Sequence, residues 1–258
     1  MDAVFCWDKL NNLVGVLLIT GCIAWHTFRA RRGANLFIRR LPALGALDDA
    51  IGRAVEMGRP VLYIPGVADI DDAQTLASVS VLERVAEDVA AYDMPLLVPN
   101  CCSMVMSMTQ EVVRSAYAKA GHPESFQSDY VRYLCDEQFG FAAGASGIMM
   151  RERPAAIFYI GNFLGEALIL AENGNASGAI QVAGTATVSQ LPFFVASCDY
   201  TLIGEELYAA SAYLSRDPMQ MGSLKGQDAV KAVIMALIVI GTLLYSLGFT
   251  WVKDLLAV

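Results

Sequence analysis

Three carboxylates stand close together at Asp69, Asp71 and Asp72, directly before a long helical pattern. Carboxylate oxygens are hard ligands that could hold Mg²⁺. The same residue types also cap helices and complement the positive end of the helix dipole. Because no second source of carboxylates lies nearby in the sequence, we predict capping and no metal site.

Two further places carry carboxylates in settings that suit acid–base chemistry. Glu166 lies within the apolar run 163–169, and Glu205 and Glu206 open a later helical pattern. A carboxyl group among apolar neighbours can have a raised pKa and transfer protons. We favour the simpler interpretation, in which Glu166 is the one exposed position of a buried helix and Glu205 and Glu206 complement a helix dipole.

Nucleophilic chemistry would depend on the six cysteines of the chain. Cys101 follows a predicted strand at a helix N-terminus, a position that lowers the pKa of a thiol. A cysteine nucleophile needs a base, and His122 is predicted at the far end of the next helix. The chain has no C-x-x-C pair and only two histidines, which disfavours zinc. We therefore predict no catalytic residues, no metal and no cofactor.

The elements that would position these residues alternate regularly between Leu41 and Asp228. Six short apolar runs predict buried parallel strands at 61–64, 96–98, 131–134, 156–160, 179–183 and 200–203. Helical patterns predict helices at 43–58, 71–92, 105–120, 137–150, 163–172 and 205–214. This alternation predicts an α/β fold, a doubly wound, mostly parallel, Rossmann-like sheet.

Small molecules bind to such sheets in the crevice beyond the carboxyl ends of the strands. The residues that follow the predicted strands give these crevice candidates: Gly66, Asp69, Asn100, Asn162, Thr185 and Glu205. Glycine and asparagine allow a ligand to approach the backbone closely, although any strand-to-helix turn prefers the same residues. Neither a G-x-G-x-x-G nor a Walker A pattern occurs, so the usual phosphate fingerprints are absent.

The composition indicates a membrane protein. Of the 258 residues, 55% are hydrophobic and 17% are charged, whereas soluble domains are about one quarter charged. We predict transmembrane helices at 10–28 and 229–252, the second containing the uncharged stretch 232–252. Charge follows the first stretch and does not precede it, which favours a retained anchor over a cleaved signal peptide. The net charge of −8 disfavours binding to nucleic acid.

A basic collar at 29–40 sets the predicted orientation. Its five arginines have no acidic residue among them, and the positive-inside rule places such a segment in the cytoplasm. Residues 29–231 are therefore predicted to be cytoplasmic, with both termini outside. The predicted order is an outside N-terminus (1–9), a transmembrane helix (10–28), the collar (29–40), a cytoplasmic α/β domain (41–228), a transmembrane helix (229–252) and an outside tail (253–258).

Three runs, at 58–66, 198–215 and 222–228, resemble a family of uncharacterised bacterial membrane-anchored proteins that carry a domain of unknown function. The resemblance extends from about Arg39 to the second predicted span. It implies a protein of the bacterial inner membrane. It supplies no catalytic residue and no ligand.

Two elements have the features of an interface. The predicted helix 205–214 carries apolar or aromatic residues on more than one face, including Tyr208, Tyr213 and Leu214. In the second predicted span, the small hydroxyl residues recur every four positions, at Thr242, Ser246 and Thr250. We predict self-association through these residues. The alternatives are that the helix is buried in the core and that the hydroxyls bond to their own helix.

These patterns favour a non-enzymatic scaffold subunit that contacts membrane lipid and forms a homo-oligomer or part of a larger membrane complex. The competing hypothesis is a membrane-tethered sensor or enzyme that holds a nucleotide-like molecule in the strand-end crevice. Convergent polar groups at the crevice would favour the second hypothesis. A self-complementary apolar surface elsewhere would favour the first.

Overall fold

The computed structural model of the chain describes residues 10–32, 42–215 and 217–247. These residues belong to two compact units, which divide the chain near residues 38 and 216. The predicted outside segments 1–9 and 253–258 and most of the predicted collar lie outside the described residues.

The described elements alternate as the sequence predicts. The helices are α1 (Leu10–Arg31), α2 (Pro42–Met57), α3 (Ala73–Ala91), α4 (Ser103–Ala120), α5 (Gln138–Glu152), α6 (Ala167–Ser177), α7 (Leu191–Ser197), α8 (Glu205–Ser215) and α9 (Pro218–Ser246). The strands are β1 (Val61–Gly66), β2 (Leu96–Asn100), β3 (Val131–Tyr133), β4 (Ala156–Asn162), β5 (Ile180–Thr185) and β6 (Tyr200–Ile203).

The six strands form one sheet in the order β3-β2-β1-β4-β5-β6, and every neighbouring pair is parallel. The predicted doubly wound α/β fold is therefore confirmed. The direction in which the chain builds the sheet reverses between β1 and β4. In a doubly wound sheet this reversal opens a crevice at the carboxyl ends of the strands.

Helices cover both faces of the sheet. On β4, Phe158 and Ile160 point into the core beneath α2, α3, α4 and α8, whereas Ile157 and Tyr159 point into the core beneath α5, α6 and α7. All six residues of β1 are buried. Burial on both faces explains why the central strands β1, β4 and β5 are continuous apolar runs in the sequence. The edge strands β3 and β6 were predicted to be buried but are largely exposed, because each has a neighbouring strand on one side only.

Helix α9 begins at Pro218, before the predicted span 229–252, and two helices of the α/β domain also differ from the predictions. The helix predicted at 163–172 begins at Ala167, because residues 163–166 form the connection that leaves β4. Helix α7 was not predicted, since its seven residues span only two turns and give little helical period.

Helices α1 and α9 pack against each other through two glycines. A Cβ atom on Gly222 would lie 2.6 Å from the Cα of Thr27, and a Cβ atom on Gly226 would lie 2.7 Å from the Cα of Ile23. The higher-numbered glycine contacts the lower-numbered residue, so the helices are antiparallel. Small residues four positions apart allow two helix backbones to approach this closely.

The prediction of two membrane-spanning helices is corrected to one candidate. Among the described residues, only α9 is long and apolar enough to cross a bilayer, and its most apolar stretch is not buried within the chain. Helix α1 forms over the predicted span 10–28. Length and composition weakly favour a membrane location for α9.

The close contact between α1 and α9 leads to the first prediction. Gly226→Leu places a branched side chain where backbone atoms of α1 already lie, so the two helices should separate. We expect cleavage at Lys225 by limited trypsin digestion in detergent to become several-fold faster, because local opening exposes the backbone. In the control Gly21→Leu, the new Cβ atom has no atom within 4 Å, and the cleavage rate should stay unchanged. Equal rates in both variants would contradict the packing role of Gly226.

Candidate functional site

The candidate site is the carboxyl edge of the sheet at the ends of β1 and β4, the two strands between which the strand order reverses. Glycine is required there at two positions, since a Cβ atom on Gly161 would lie 2.2 Å from the backbone oxygen of Pro65, and one on Gly66 would lie 2.4 Å from that of Asn162. Both glycines also have positive φ angles, 142° and 92°. The amide of Val67 donates to the Asn162 carbonyl at 2.9 Å. The two strand ends are therefore held in close backbone contact.

Asn162 joins the two halves of the sheet through its side chain. Its Nδ2 donates to Oδ2 of Asp72 at 2.9 Å, and its Oδ1 accepts a hydrogen bond from the Thr187 hydroxyl at 2.9 Å. Asp72 belongs to the connection after β1, and Thr187 to the connection after β5. Two connections and the end of β4, which are distant from one another in sequence, thus converge at Asn162.

Gln74 continues this network from the first turn of α3. Its Oε1 accepts hydrogen bonds from the amide of Ala186 at 2.7 Å and from the hydroxyl of Thr185 at 3.2 Å. Its Nε2 donates to the Thr187 hydroxyl at 3.3 Å. Gln74 and Thr187 were not among the predicted site residues. Their positions could have indicated them: Gln74 lies two residues after the predicted capping residue Asp72, and Thr187 lies two residues after the predicted crevice residue Thr185.

Asp69 lies at the same edge and is exposed. Its Oδ1 accepts hydrogen bonds from the amide of Ile70 at 2.6 Å and from the thiol of Cys102 at 3.2 Å. The hydrogen bond from the Ile70 amide, followed by that from Cys102, lowers the pKa of the Asp69 carboxyl. Asp69 is therefore a carboxylate at neutral pH.

The thiol of Cys101 differs from its prediction. Its position at a helix N-terminus was expected to lower its pKa, but burial, followed by the nearby charge of Asp136, raises the pKa to about 11. The Cys101 Sγ donates to the Asp136 carbonyl at 3.6 Å. Because the thiol stays protonated at neutral pH, it is a poor nucleophile.

Glu166 is fully buried, which corrects the prediction that it is exposed. Its Oε1 accepts a hydrogen bond from the amide of Leu164 at 2.9 Å, whereas its Oε2 is buried and has no hydrogen-bond partner among the described atoms. Burial raises the pKa of the carboxyl group, although hydrogen bonds from Leu164 and Gln138 oppose this shift. At this edge of the sheet, Glu166 therefore carries a buried carboxyl group that holds its proton to a higher pH than an exposed glutamate does.

Carboxylates of the chain occupy helix N-termini at this edge. Asp72 accepts a hydrogen bond from the amide of Gln74 at 2.6 Å, which confirms its predicted capping role. Glu137 accepts hydrogen bonds from the amides of Phe139 and Gly140 at the start of α5. A helix N-terminus is where a nucleotide phosphate would bind. At α3 and α5, side chains of the protein already fill that position.

The charges at this edge also disfavour anionic ligands. The connections that leave the strands, at 67–72, 101–102, 134–137, 163–166 and 186–190, all lie within the described residues and contain no Lys or Arg. They contain six carboxylates, at Asp69, Asp71, Asp72, Asp136, Glu137 and Glu166. A phosphate group would meet like charges here and no counter-charge.

Two further predicted crevice residues, Asn100 and Glu205, lie at other strands of the sheet than Asn162 does. Asn100 is buried at the end of β2, where its Nδ2 donates to the carbonyl of Val98 at 2.9 Å and its Oδ1 accepts a hydrogen bond from the Thr109 hydroxyl at 3.2 Å. These bonds make Asn100 a structural residue. Glu205 opens α8 after the edge strand β6, away from the β1–β4 crevice.

The predicted interface residues on α8 have different surroundings. Tyr208 and Leu214 are partly buried and pack against the core of their own domain, whereas Tyr213 is 38% exposed. The helix also buries Leu207 and Ala210. Of the predicted aromatic contacts, Tyr213 is the one that is most available to a partner.

The predicted contact residues on α9 bond to their own helix. The Thr242 hydroxyl donates to the Ile238 carbonyl at 2.7 Å, and the Ser246 hydroxyl donates to the Thr242 carbonyl at 2.9 Å. Thr250 lies outside the described residues. A role of these residues in self-association stays a prediction.

The thiol, imidazole and carboxylate groups of the described residues form no cluster of three or more that could hold a metal ion. His122 lies beyond the end of α4, with its Nδ1 4.0 Å from Glu124 Oε1, and so at the opposite edge of the sheet from Cys101.

The family of a domain of unknown function, DUF6754, matches residues 1–256. No curated protein and no solved structure matches the chain.

The raised pKa of Glu166 leads to the second prediction. The folded protein holds this proton more tightly than the unfolded chain, whose carboxyl has a pKa of 4.5. The contribution of Glu166 to the free energy of unfolding should therefore fall as the pH rises from 4.5 towards the pKa of this carboxyl group in the folded protein. Glu166→Gln removes this titration, so the variant should gain stability relative to the wild type between pH 5 and 8.

The measurement is the midpoint of urea unfolding at several pH values. Glu172→Gln is the matched control, because Glu172 lies on α6, the helix that follows Glu166, and is exposed. This control should keep the pH dependence of the wild type. An unchanged pH dependence in Glu166→Gln would show that Glu166 does not titrate differently in the folded and unfolded states.

Proposed function

We propose that this chain, which belongs to the DUF6754 family of domains of unknown function, is a non-enzymatic membrane-associated assembly subunit. The observation that supports this proposal is an exposed apolar surface around α6, here called the α6 patch. Its residues are Phe139, Leu164, Leu168 and Ile169, which are between 39% and 54% exposed.

The members of the α6 patch are neighbours. A Cβ atom on Gly165 would lie 3.7 Å from Cζ of Phe139, so the aromatic ring lies beside the backbone between Leu164 and α6. Leu168 and Ile169 follow in the first turn of α6. The patch is therefore continuous across the start of two adjacent helices.

Helix α6 carries more apolar surface than its own domain needs. Its inner face buries Ala167, Leu170 and Ala171 against the sheet. A helix that covers a sheet needs one apolar stripe, yet Leu168 and Ile169 form a second on the solvent side. Exposed apolar residues that form a continuous patch mark interaction surfaces.

A second copy of the chain is the partner that we propose for the α6 patch. The patch contains no charged residue, so two copies can meet there without bringing like charges together. Insertion of α9 in a bilayer would confine the copies to one plane, which raises their effective concentration. The contacts predicted at Tyr213 and on α9 lie outside the α6 patch and stay separate predictions of self-association.

A second candidate function is the binding of a small molecule at the carboxyl edge. The convergence of Asp72, Asn162 and Thr187 at the reversal of the sheet favours it. The carboxylates at the helix N-termini and the absence of Lys and Arg from the described connections argue against a nucleotide. The ligand that fits this edge is rich in hydrogen-bond donors and carries no negative charge.

The membrane in this proposal is the bacterial inner membrane, crossed by α9, with the α/β domain in the cytoplasm. The arginines of the predicted collar 29–40 and the lysines Lys225 and Lys231 in the first half of α9 support this orientation. The C-terminus then lies outside. The N-terminus lies outside as well when α1 also crosses the bilayer.

The third prediction concerns the α6 patch. Leu164→Asp combined with Leu168→Asp removes two apolar contacts and adds like charges on both copies, so the dimer should dissociate at least about tenfold more readily. Native mass spectrometry in mild detergent measures the copy number and also detects any retained ligand. Leu76→Asp is the matched control, since Leu76 is 49% exposed on the opposite face of the domain.

A wild-type chain that is monomeric in mild detergent would contradict the assembly proposal. So would an oligomer that both patch substitutions leave intact. A small molecule that co-purifies with the monomer would favour the second candidate function.

The fourth prediction concerns the orientation. A fluorescent reporter that folds only in the cytoplasm should stay dark when it is fused to the C-terminus, because α9 would carry it outside. The same reporter placed before residue 1 distinguishes whether α1 also crosses. Bright fluorescence from the C-terminal fusion would show that the orientation is wrong.

A further inference from the structure

We propose that the cleft between α2 and α3 binds an organic monocation, an alkylammonium or alkylguanidinium group. The cleft has a volume of about 200 Å³ and is lined by Asp48, Ile51, Gly52, Arg84, Asp88 and Tyr92. This face of the domain is opposite the α6 patch. The proposal is therefore independent of the assembly proposal.

Two carboxylates line the cleft, but only one cationic side chain among its lining residues can neutralise their charge. Arg84 Nε lies 2.9 Å from Asp88 Oδ2, which forms an ion pair within α3. Asp48, on α2, has no ion-pair partner among the described residues. The cleft thus carries one uncompensated negative charge, which an added cation would neutralise.

The pKa of Asp88 agrees with this excess of negative charge. Burial raises it most, Arg84 lowers it, and the charges of Asp48 and Glu87 raise it further. The charge of Glu87 is already compensated, because Glu87 Oε1 forms an ion pair with Nζ of Lys119 on α4 at 3.0 Å. Arg84 is the one cation that lines the cleft, and it is already paired with Asp88.

The remaining lining residues suit the apolar part of such a ligand. Ile51 is buried and forms an apolar wall, and Tyr92 is 60% exposed at the end of α3. An aromatic face beside carboxylates attracts ammonium and guanidinium groups. Drug-sized ligands occupy pockets of about 300 to 1,000 Å³, so a smaller cleft fits a single cationic group with a short alkyl chain.

Gly52 keeps the cleft open. A Cβ atom at this position would have no atom within 4 Å, so a side chain would project into free space. Glycine in the interior of a helix destabilises it relative to alanine. A larger residue here would therefore fill the cleft without a steric clash and with a better helix propensity.

The test compares a cation with its neutral isostere. Calorimetric titration of the full chain in detergent should show that n-butylguanidinium binds at least tenfold more tightly than n-butylurea, which has the same shape without the charge. Gly52→Leu should abolish this binding because the side chain fills the cleft. Gly45→Leu is the matched control: Gly45 lies on α2, has an equally open Cβ position and does not line the cleft, so this variant should bind as the wild type does.

Two further variants, each lacking one carboxylate of the cleft, test separately whether negative charge recognises the cation. Asp48→Asn and Asp88→Asn should each weaken binding of n-butylguanidinium about tenfold and leave n-butylurea unaffected, since each removes one negative charge. Thermal unfolding reports whether each variant is folded, and if Gly52→Leu fails to fold, the two charge variants decide. Equal binding of the two probes, full binding by Gly52→Leu or no binding of n-butylguanidinium to the wild type at millimolar concentration would overturn the proposal.

Discussion

A parallel sheet has to be covered on both faces, and most of this structure follows from that constraint. Each β-to-β connection crosses the sheet as a helix, so all the strands end at one edge and the following helices begin there. The four helices over one face and the three over the other bury alternate residues of β4 in two cores. The carboxyl edge therefore collects six connections from distant parts of the sequence.

The same geometry brings helix N-termini together, and with them partial positive charges that need compensation. Here carboxylates of the chain supply it, as Asp72 does at α3 and Glu137 at α5. This arrangement stabilises the fold and also takes the positions that phosphates occupy in nucleotide-binding sheets. An edge with the strand order of a dinucleotide-binding domain thus has charges that suit a different kind of ligand.

Apolar surface beyond the needs of the core occurs in both units. Helix α9 exposes its apolar residues along its second half, which suits lipid. Helix α6 exposes Leu168 and Ile169 while burying Ala167 and Leu170, which suits a protein partner. Gly222 and Gly226 allow α9 to pack closely against α1, since any larger side chain at these positions would meet the backbone of α1.

Local patterns in the sequence determined the strands, the doubly wound fold and the helix cap at Asp72, because burial on both faces and capping leave signals within a few residues. Contacts between distant residues required the tertiary structure. Asn162 and Asp72 are 90 positions apart in sequence, and only the neighbouring positions of β1 and β4 bring them to 2.9 Å. Glu166 was expected to be exposed, but the packing of α5 against α6 buries it. The α2–α3 cleft also exists only because two helices place Asp48 and Asp88 around the space that Gly52 leaves open, and no pattern along either helix encodes that distance.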